Sequence, residues 1–159
     1  MSFLLPIKVM ITNKVGPRNQ QLIQFRGTLI YPGSFSKCGL VRSYSTGKNK
    51  NFELGTEDFG DLVVADFNFD SRDDLAVRCE DSNGGTYYRF YIQGNDQKFK
   101  LDSFLTDSMM LVPTYVNKAK RTLTTFQHAG ARYEGEQTYR LDRQTNKWSL
   151  IRHRFLPAH

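Results

Sequence analysis

The stretch from Leu62 to Val77, LVVADFNFDSRDDLAV, places a polar turn between two short apolar runs. Both runs, LVVA and LAV, have the length and the branched residues of strands, and no helical pattern flanks the turn. Within the turn, acidic or amide side chains recur at every second position, at Asp66, Asn68 and Asp70, and Asp74 follows them. The stretch therefore predicts a strand, an oxygen-rich turn and a second strand.

These oxygens have the spacing of positions 1, 3, 5 and 9 of an EF-hand-type loop, in which position 7 supplies a backbone carbonyl. Ca²⁺ takes about 6–8 oxygen ligands, so one short loop of this kind can surround it. The chain departs from the pattern at position 6, where Ser71 replaces glycine, and at position 12, where Val77 replaces glutamate. The alternative is a hairpin turn whose carboxylates accept backbone N–H groups. The predicted Ca²⁺ ligands are Asp66, Asn68, Asp70, the carbonyl of Arg72, and Asp74.

Composition supports β structure along the whole chain. The 159 residues include 12 Phe and 8 Tyr, and long stretches with a 3.6-residue period are absent. The length predicts a single β domain over residues 1–159 with room for a proper core, in which Phe67 and Phe69 pack between the predicted ligands. We expect an all-β fold of antiparallel hairpins in a sandwich or propeller-like arrangement, with the Ca²⁺ turn between strands.

Further strands and turns follow from alternation and turn residues. A candidate β-bulge is Gly27, and Asp102 or Ser103 is expected to cap one short helix. Residues 86–101 and 138–151 share one design, a Tyr-rich strand, a polar turn and an aromatic strand, which suggests stacked hairpins. The predicted elements are strands at 21–31, 86–93, 98–101, 138–141 and 148–151, turns at 12–14, 32–33, 47–51, 81–85, 94–96 and 142–147, and a helix at 102–110.

The net charge of +6 and the pI of about 9.4 are compatible with nucleic acid, anionic lipid or an acidic protein as partner, or with solubility alone. No apolar run reaches the ~18 residues of a membrane span. The apolar start, MSFLLPIKVMI, is predicted to be a first strand, so the protein is expected either in the cytoplasm or, after loss of a signal peptide, in the periplasm. Cys38 and Cys79 form either one disulfide or two thiols, and their spacing does not decide between them.

Several stretches of the chain form a recognisable set: DFNFDSRDDLAV (66–77), YYRFYI (87–92), KFKLDSFLT (98–106), LTTFQHAGARYEGEQTYR (123–140) and the closing hairpin. Together they resemble the XAC2610-like bacterial proteins, which are Ca²⁺-binding β proteins similar to periplasmic inhibitors of invertebrate-type lysozyme. The resemblance covers roughly residues 60–152. It implies an immunity protein that neutralises a peptidoglycan-cleaving effector delivered by a secretion system, and a periplasmic location.

In such inhibitors a protruding loop with a Ser-Gly-x-x-Tyr-like motif enters the cleft of the enzyme. The resemblance places that loop at Ala129–Tyr133, where Gly130 and Tyr133 fit the motif and Ala129 does not. A slim tip suits a cleft, an aromatic anchor contributes binding energy, and an arginine can pair with a catalytic carboxylate. The predicted partner-binding residues are His128, Ala129, Gly130, Ala131, Arg132 and Tyr133.

Two other functions remain open from the sequence. The first is a basic nucleic-acid-binding β module, for which Tyr87, Tyr88 and Tyr91 would supply stacking surfaces. The second is a Ca²⁺-stiffened adhesion or scaffold domain. An enzyme is not expected, because the chain has no nucleophile elbow, P-loop or dinucleotide motif.

Overall fold

The structure is a computed structural model that describes residues 3–12, 20–29, 41–43, 51–53, 60–82 and 85–157. Within these residues the chain forms two β-sheets that do not close into a barrel, so the predicted all-β class is confirmed. The strands are β1 (Phe3–Thr12), β2 (Gln20–Leu29), β3 (Val41–Ser43), β4 (Asn51–Glu53), β5 (Leu62–Ala65), β6 (Asp74–Ser82), β7 (Gly85–Gln93), β8 (Phe99–Leu101), β9 (Tyr115–Asn117), β10 (Thr122–His128), β11 (Tyr133–Leu141) and β12 (Trp148–Pro157).

The first sheet is built around β6. This strand pairs antiparallel with β5 on one side and with β7 on the other, β8 continues the sheet beyond β7, and β3 runs parallel to β5. Successive side chains of a strand point to opposite faces, so Ala76 packs on one face and its neighbours Leu75 and Val77 on the other. The sheet is therefore apolar on both faces, and β7 likewise contributes Phe90 to one face and Tyr91 to the other.

The hairpin of β1 and β2 covers one of these faces. Its inward residues Ile7, Ile23 and Phe25 form an apolar cluster with the side chains of β6 and β7. At one end Thr28 of β2 pairs with Glu80 of β6, and at the other the side chain of Gln21 bonds to the backbone of β8. The hairpin thus crosses the sheet from β6 to β8.

The predicted β-bulge at Gly27 is wrong, because the pairing of β1 with β2 runs without a register shift. Gly27 instead permits a close crossing of two strands. A Cβ at this position would lie 2.5 Å from the carbonyl oxygen of Cys79, a contact that no side chain tolerates. The irregularity lies in the neighbouring strand, where the register of β6 against β7 shifts between Arg78 and Glu80.

The second sheet has the order β12-β11-β10-β9-β4 and is antiparallel throughout. It packs on the other face of the first sheet, and the shared core includes the edge-to-face pair Phe67 and Phe90. Of the two arrangements predicted, the sandwich is therefore the one formed. The buried members of this core are Val63, Ala65, Phe67, Ala76, Tyr88, Phe90, Leu105, Met109, Val112, Val116, Leu123 and Tyr139.

The predicted short helix lies on the link between the sheets. It contains one helical turn followed by a π-helical segment, Leu105–Met109, closed by the bond from the Met110 N–H to the Leu105 carbonyl at 2.8 Å. Asp102 Oδ1 accepts the N–H of Leu105 at 2.8 Å, which confirms that carboxylate as a capping group. No helix in the described part of the chain is long and apolar enough to cross a membrane.

Some predicted features lie outside the described residues. They include Cys38 and the turns at 13–14, 32–33 and 47–50. The other cysteine, Cys79, is half-buried, and its thiol donates a hydrogen bond to the carbonyl of Tyr87 at 3.4 Å. Burial raises the pKa of the Cys79 thiol to about 11, so it is protonated at neutral pH.

Candidate functional site

The Asp-rich loop lies between β5 and β6, as its flanking sequences predicted. The pair formed by Ala65 and Asp74 closes it. Two of its residues, Phe69 (φ 64°) and Ser71 (φ 70°), adopt the left-handed backbone conformation. Residues other than Gly, Asn and Asp rarely adopt it. The sharp turn expected at position 6 is therefore present at Ser71 without glycine.

The side chains at positions 1, 3 and 5 organise this loop. Asp66 accepts the N–H of Asp70 and the N–H of Ser71, each at 2.9 Å, on its two carboxylate oxygens. Asn68 accepts the same N–H of Asp70 at 3.1 Å and donates its amide to the Asp70 carboxylate at 2.7 Å. These three oxygen-bearing side chains are thus brought together in one turn, as their alternation predicted.

Asp74 accepts backbone N–H groups, as the hairpin-turn alternative expected of the carboxylates in this loop. Its side chain is fully buried, and it accepts the N–H groups of Phe67 (2.9 Å) and Asn68 (3.3 Å) on Oδ2 and that of Gln93 (2.9 Å) on Oδ1. Burial raises the pKa of Asp74 to about 7, and the three N–H donors oppose that rise. Asp74 therefore ties the loop to the end of β7.

Cationic side chains lie against the carboxylates of the loop. The guanidinium of Arg72 contacts Asp70 Oδ2 at 2.5 Å. Two further cations come from the turn at 118–121, which joins β9 to β10. The Lys118 ammonium lies 2.9 Å from Ser71 Oγ and 3.6 Å from Asp66 Oδ2, and Arg121 donates to the carbonyl of Asn68 at 3.1 Å. The carboxylates of the loop are thus faced by one cation of the loop itself and by cations from the second sheet.

The chemistry of the donor set fits Ca²⁺. Asp66, Asn68 and Asp70 offer hard oxygens on one turn, and hydrogen bonds among them and the loop backbone hold these oxygens together. The backbone carbonyl of Arg72 would be the fourth ligand. Among the described residues, no group of three or more His, Cys, Asp or Glu side chains is placed to hold a metal, so the amide of Asn68 is required.

Aromatic rings attach the loop to the shared core. Phe67 is buried in the shared core, as predicted, and Phe69 packs against it beside Trp148 of β12, with ring centroids 6.1 Å apart. The guanidinium of Arg121 lies 5.9 Å from the centroid of the Phe69 ring. The loop therefore joins the two sheets at one end of the sandwich.

The predicted partner loop is the tip of the β10–β11 hairpin. β10 ends at His128 and β11 begins at Tyr133, and the bond from the Ala129 N–H to the Tyr133 carbonyl (2.9 Å) closes the tip. Gly130 has a φ of 92° and open space where a side chain would be. His128, Arg132 and Tyr133 are exposed, and within the described residues none of the three makes a side-chain hydrogen bond or ion pair. The structure thus brings the predicted residues together on one free tip.

Sequence reasoning missed two exposed aromatic side chains beside this tip. A Cβ at Gly135 would lie 3.8 Å from His153 Nε2 and 3.9 Å from the Phe155 ring, so both rings of β12 cover the face of Gly135. Tyr133 shares that face, because it lies two residues earlier on the same strand. Phe155 is 62% exposed and Tyr133 is 51% exposed. Only the cross-strand pairing of Gly135 with Phe155 brings them together.

The opposite face of the same strands carries paired charges. Glu136 is buried and accepts two hydrogen bonds from Arg154, at 3.0 and 2.6 Å, while Arg152 lies 3.5 Å from the same carboxylate. Glu134 lies two residues earlier on this face, so two carboxylates balance the two guanidinium groups. The exposed Arg132 is therefore the group of the tip that attracts carboxylates.

The loop and the tip lie at opposite ends of β10. The turn that contacts the Asp-rich loop precedes Thr122, the tip follows His128, and the seven residues between them extend about 20 Å. A cation in the loop therefore cannot touch a partner held by the tip alone, and its effect there would be structural.

The tyrosines on which the nucleic-acid alternative depended are not stacking surfaces. Tyr88 and Tyr91 are buried, with the Tyr88 hydroxyl bonded to the carbonyl of Gly60 at 2.8 Å. Tyr87 is half-buried, and its hydroxyl accepts a hydrogen bond from Gln127. Base stacking needs open ring faces, so these residues do not support that function.

Comparison with known proteins gives a fold relationship. No protein-family model matches the chain, and no curated protein matches it significantly. Among solved structures the chain is similar to a Xanthomonas type IV secretion system related protein, with a TM-score of 0.61 and 15% sequence identity. The match covers 93% of this chain, which spans 66% of the length of that neighbour. At this identity the likeness establishes a common fold.

Proposed function

We propose that this protein is an immunity-type inhibitor, whose β10–β11 tip enters the active-site cleft of a bacterial peptidoglycan-hydrolase effector. The observation that carries the proposal is the tip itself, a narrow hairpin end with the exposed residues Arg132 and Tyr133. Clefts that cleave glycans contain carboxylates, for which an unpaired arginine is a matched partner. The activity is that of a protein ligand, without catalysis by this chain.

The surface beside the tip strengthens the proposal. Tyr133 and Phe155 lie on one face, and both retain about half or more of their exposure. Large aromatic side chains are typical anchors of protein interfaces, because they bury much apolar area at a small cost in conformational entropy. The two-sheet scaffold holds them in place, so little ordering entropy would be lost on binding.

The fold relationship agrees with a secretion-associated role. The structural neighbour is described as a type IV secretion system related protein. Bacteria that deliver cell-wall hydrolases need a protein that protects their own wall, and that protein must meet the enzyme where peptidoglycan lies. We therefore place this protein in the periplasm, with the cytoplasm as the alternative.

Calcium belongs to the proposal as a structural cofactor. Asp66, Asn68, Asp70 and the carbonyl of Arg72 would hold it, and Asp74 would keep the loop in shape. Ca²⁺ that binds the folded state alone stabilises that state by mass action. The ion would fix the end of the sandwich at which the two sheets meet.

The test is capture followed by a binding measurement. The protein, in Ca²⁺, serves as bait for the lysate and secretome of its own organism, and captured hydrolases are then purified and titrated. We expect a muramidase, amidase or peptidase to be bound and inhibited. Tyr133→Ala should weaken the complex by about 2 kcal/mol or more, as loss of an aromatic anchor does.

Tyr115→Ala is the matched control, since Tyr115 is an equally exposed tyrosine on β9 of the same sheet, at 44% exposure. It should leave the affinity unchanged. Equal affinities of wild type and Tyr133→Ala would move the interface away from the tip. Failure of the wild type to bind any cell-wall hydrolase would refute the proposed function.

A further inference from the structure

Both carboxylates that begin the Asp-rich loop already have a cation beside them. Arg72 Nη2 lies 2.5 Å from Asp70 Oδ2, and Lys118 Nζ lies 3.6 Å from Asp66 Oδ2. Both carboxylates belong to the predicted Ca²⁺ ligand set, so a metal in the loop would meet these two cations, whereas Asp74 accepts three backbone N–H groups.

Other contacts of Arg72 hold its guanidinium in position. Nε donates to the carbonyl of Gln93, the last residue of β7, at 3.2 Å, and Nη1 donates to Asn95 Oδ1, in the turn that follows, at 2.8 Å. A guanidinium fixed at three points loses less entropy per bond than a freely moving side chain. The contact with Asp70 is therefore one of three that fix the Arg72 guanidinium in place.

Lys118 reaches the loop from the other sheet. Its side chain is 28% exposed, and Nζ donates to Ser71 Oγ at 2.9 Å in addition to its contact with Asp66. The carboxylate of Asp66 is nearly buried, at 4% exposure, so the attraction between these groups is screened less than at an open surface. The pairing thus links the turn at 118–121 to the loop.

We infer that Arg72 and Lys118 are resident counter-cations of the loop, which supply the positive charge in the absence of metal and compete with Ca²⁺ for Asp66 and Asp70. The competition with Ca²⁺ rests on the calcium part of the proposed function, whereas the pairing of the two cations with the loop in the absence of metal does not. Because a metal and an ammonium or guanidinium group repel each other at this distance, Ca²⁺ can enter only as these side chains move away. The loop is accordingly stable without metal and binds Ca²⁺ more weakly than its ligand set alone would.

The experiment compares Arg72→Met and Lys118→Met with the wild type in EDTA and in Ca²⁺. Methionine removes the charge and keeps an apolar stem, and the backbone carbonyl of residue 72 remains. We expect both variants to melt about 2–4 °C lower than the wild type in EDTA. In calorimetric titrations with CaCl₂ they should bind the ion about tenfold more tightly, since one repelling charge is gone.

Lys120→Met is the matched control. Lys120 lies in the same turn, its side chain is exposed, and it makes no ion pair among the described residues. This variant should match the wild type in both measurements. Lys118→Arg, which restores the charge, should recover the melting temperature in EDTA.

Each outcome separates the inference from the calcium proposal. If both methionine variants behave as Lys120→Met does, the counter-cations are refuted, whether or not Ca²⁺ binds. If the wild type ignores Ca²⁺ while the two variants melt lower in EDTA, the inference stands and structural calcium in the native protein is refuted. Tighter binding of Ca²⁺ by the variants than by the wild type supports both.

Discussion

At the scale of single residues, one carboxylate organises the turn between β11 and β12. In the turn between β11 and β12, Asp142 Oδ1 accepts the N–H of Thr145 at 2.7 Å, its hydroxyl at 2.9 Å and the N–H of Gln144 at 3.0 Å. The hydrogen bond from Thr145 is the main reason that the pKa of Asp142 lies below its usual value. The charged form is therefore favoured by folding.

Asp142→Ala should lower the melting temperature at neutral pH, because the turn loses its acceptor. A carboxylate with a lowered pKa in the folded state contributes stability above its unfolded pKa, and that stability is lost as the pH falls through the folded pKa. The difference from wild type, followed by thermal melts from pH 7 downwards, should thus shrink below about pH 4. Asp107→Ala, which removes an exposed carboxylate elsewhere, is the control, and a pH-independent difference would contradict the explanation.

At the scale of elements, one side chain helps to hold the β1–β2 hairpin to the first sheet. It makes the pair of hydrogen bonds that a neighbouring strand would make. Gln21 Nε2 donates to the carbonyl of Phe99 at 2.7 Å, and Gln21 Oε1 accepts the N–H of Phe99 at 2.8 Å. This reciprocal pair occupies the edge of β8 that faces away from β7. It both attaches the hairpin and protects an edge.

Gln21→Ala should destabilise the protein by about 1–3 kcal/mol, because the two partly buried backbone groups of Phe99 lose their partner. The amide of Phe99 should also exchange its hydrogen faster. Gln24→Ala is a matched control on the same strand, since Gln24 is exposed. Equal exchange rates at Phe99 in the wild type and in Gln21→Ala would show that the hairpin is held by its apolar cluster alone.

At the scale of the whole molecule, we expect net charge to select among partners of the proposed inhibitor. The chain has a net charge of +6, and Arg132 is exposed at the tip. A positive inhibitor is steered towards an acidic or neutral hydrolase and repelled by a basic one. The complex should therefore form faster at low salt, and a basic animal lysozyme should not be inhibited.

Stopped-flow association rates at low and high salt test this expectation. Arg132→Gln should reduce the association rate and its salt dependence more than Lys98→Gln, which removes an exposed charge from the β7–β8 turn. Tight inhibition of a basic lysozyme at moderate salt would contradict the role of charge.

Several features could be predicted from the sequence because they depend on neighbours along the chain. The run of aromatic residues at 86–93 predicted β7 within one residue of its observed start. The same local logic predicted that Phe67 is buried and that the Asp-rich turn joins two strands. Side-chain period and turn chemistry act over a few residues, so a single segment suffices to read them.

The misassigned Gly27 marks the limit of local reasoning. Glycine inside a strand is compatible with a bulge or with a close crossing, and only the carbonyl of Cys79, far along the chain, decides between them. The exposure expected of the tyrosines in the nucleic-acid alternative was wrong for a related reason. Whether Tyr88 is exposed depends on the second sheet, which covers it, and not on its own strand.

The sequence by itself determined the β class and the oxygen-rich loop between β5 and β6, while the resemblance pointed to the tip residues Gly130 and Tyr133, whose exposure only the structure shows. The tertiary structure decided which distant side chains serve these sites. Lys118 reaches Asp66 across the sandwich, and Phe155 joins Tyr133 through the pairing of β11 with β12. Such contacts depend on how two sheets pack and in which register their strands pair, and neither is set by residues close in sequence.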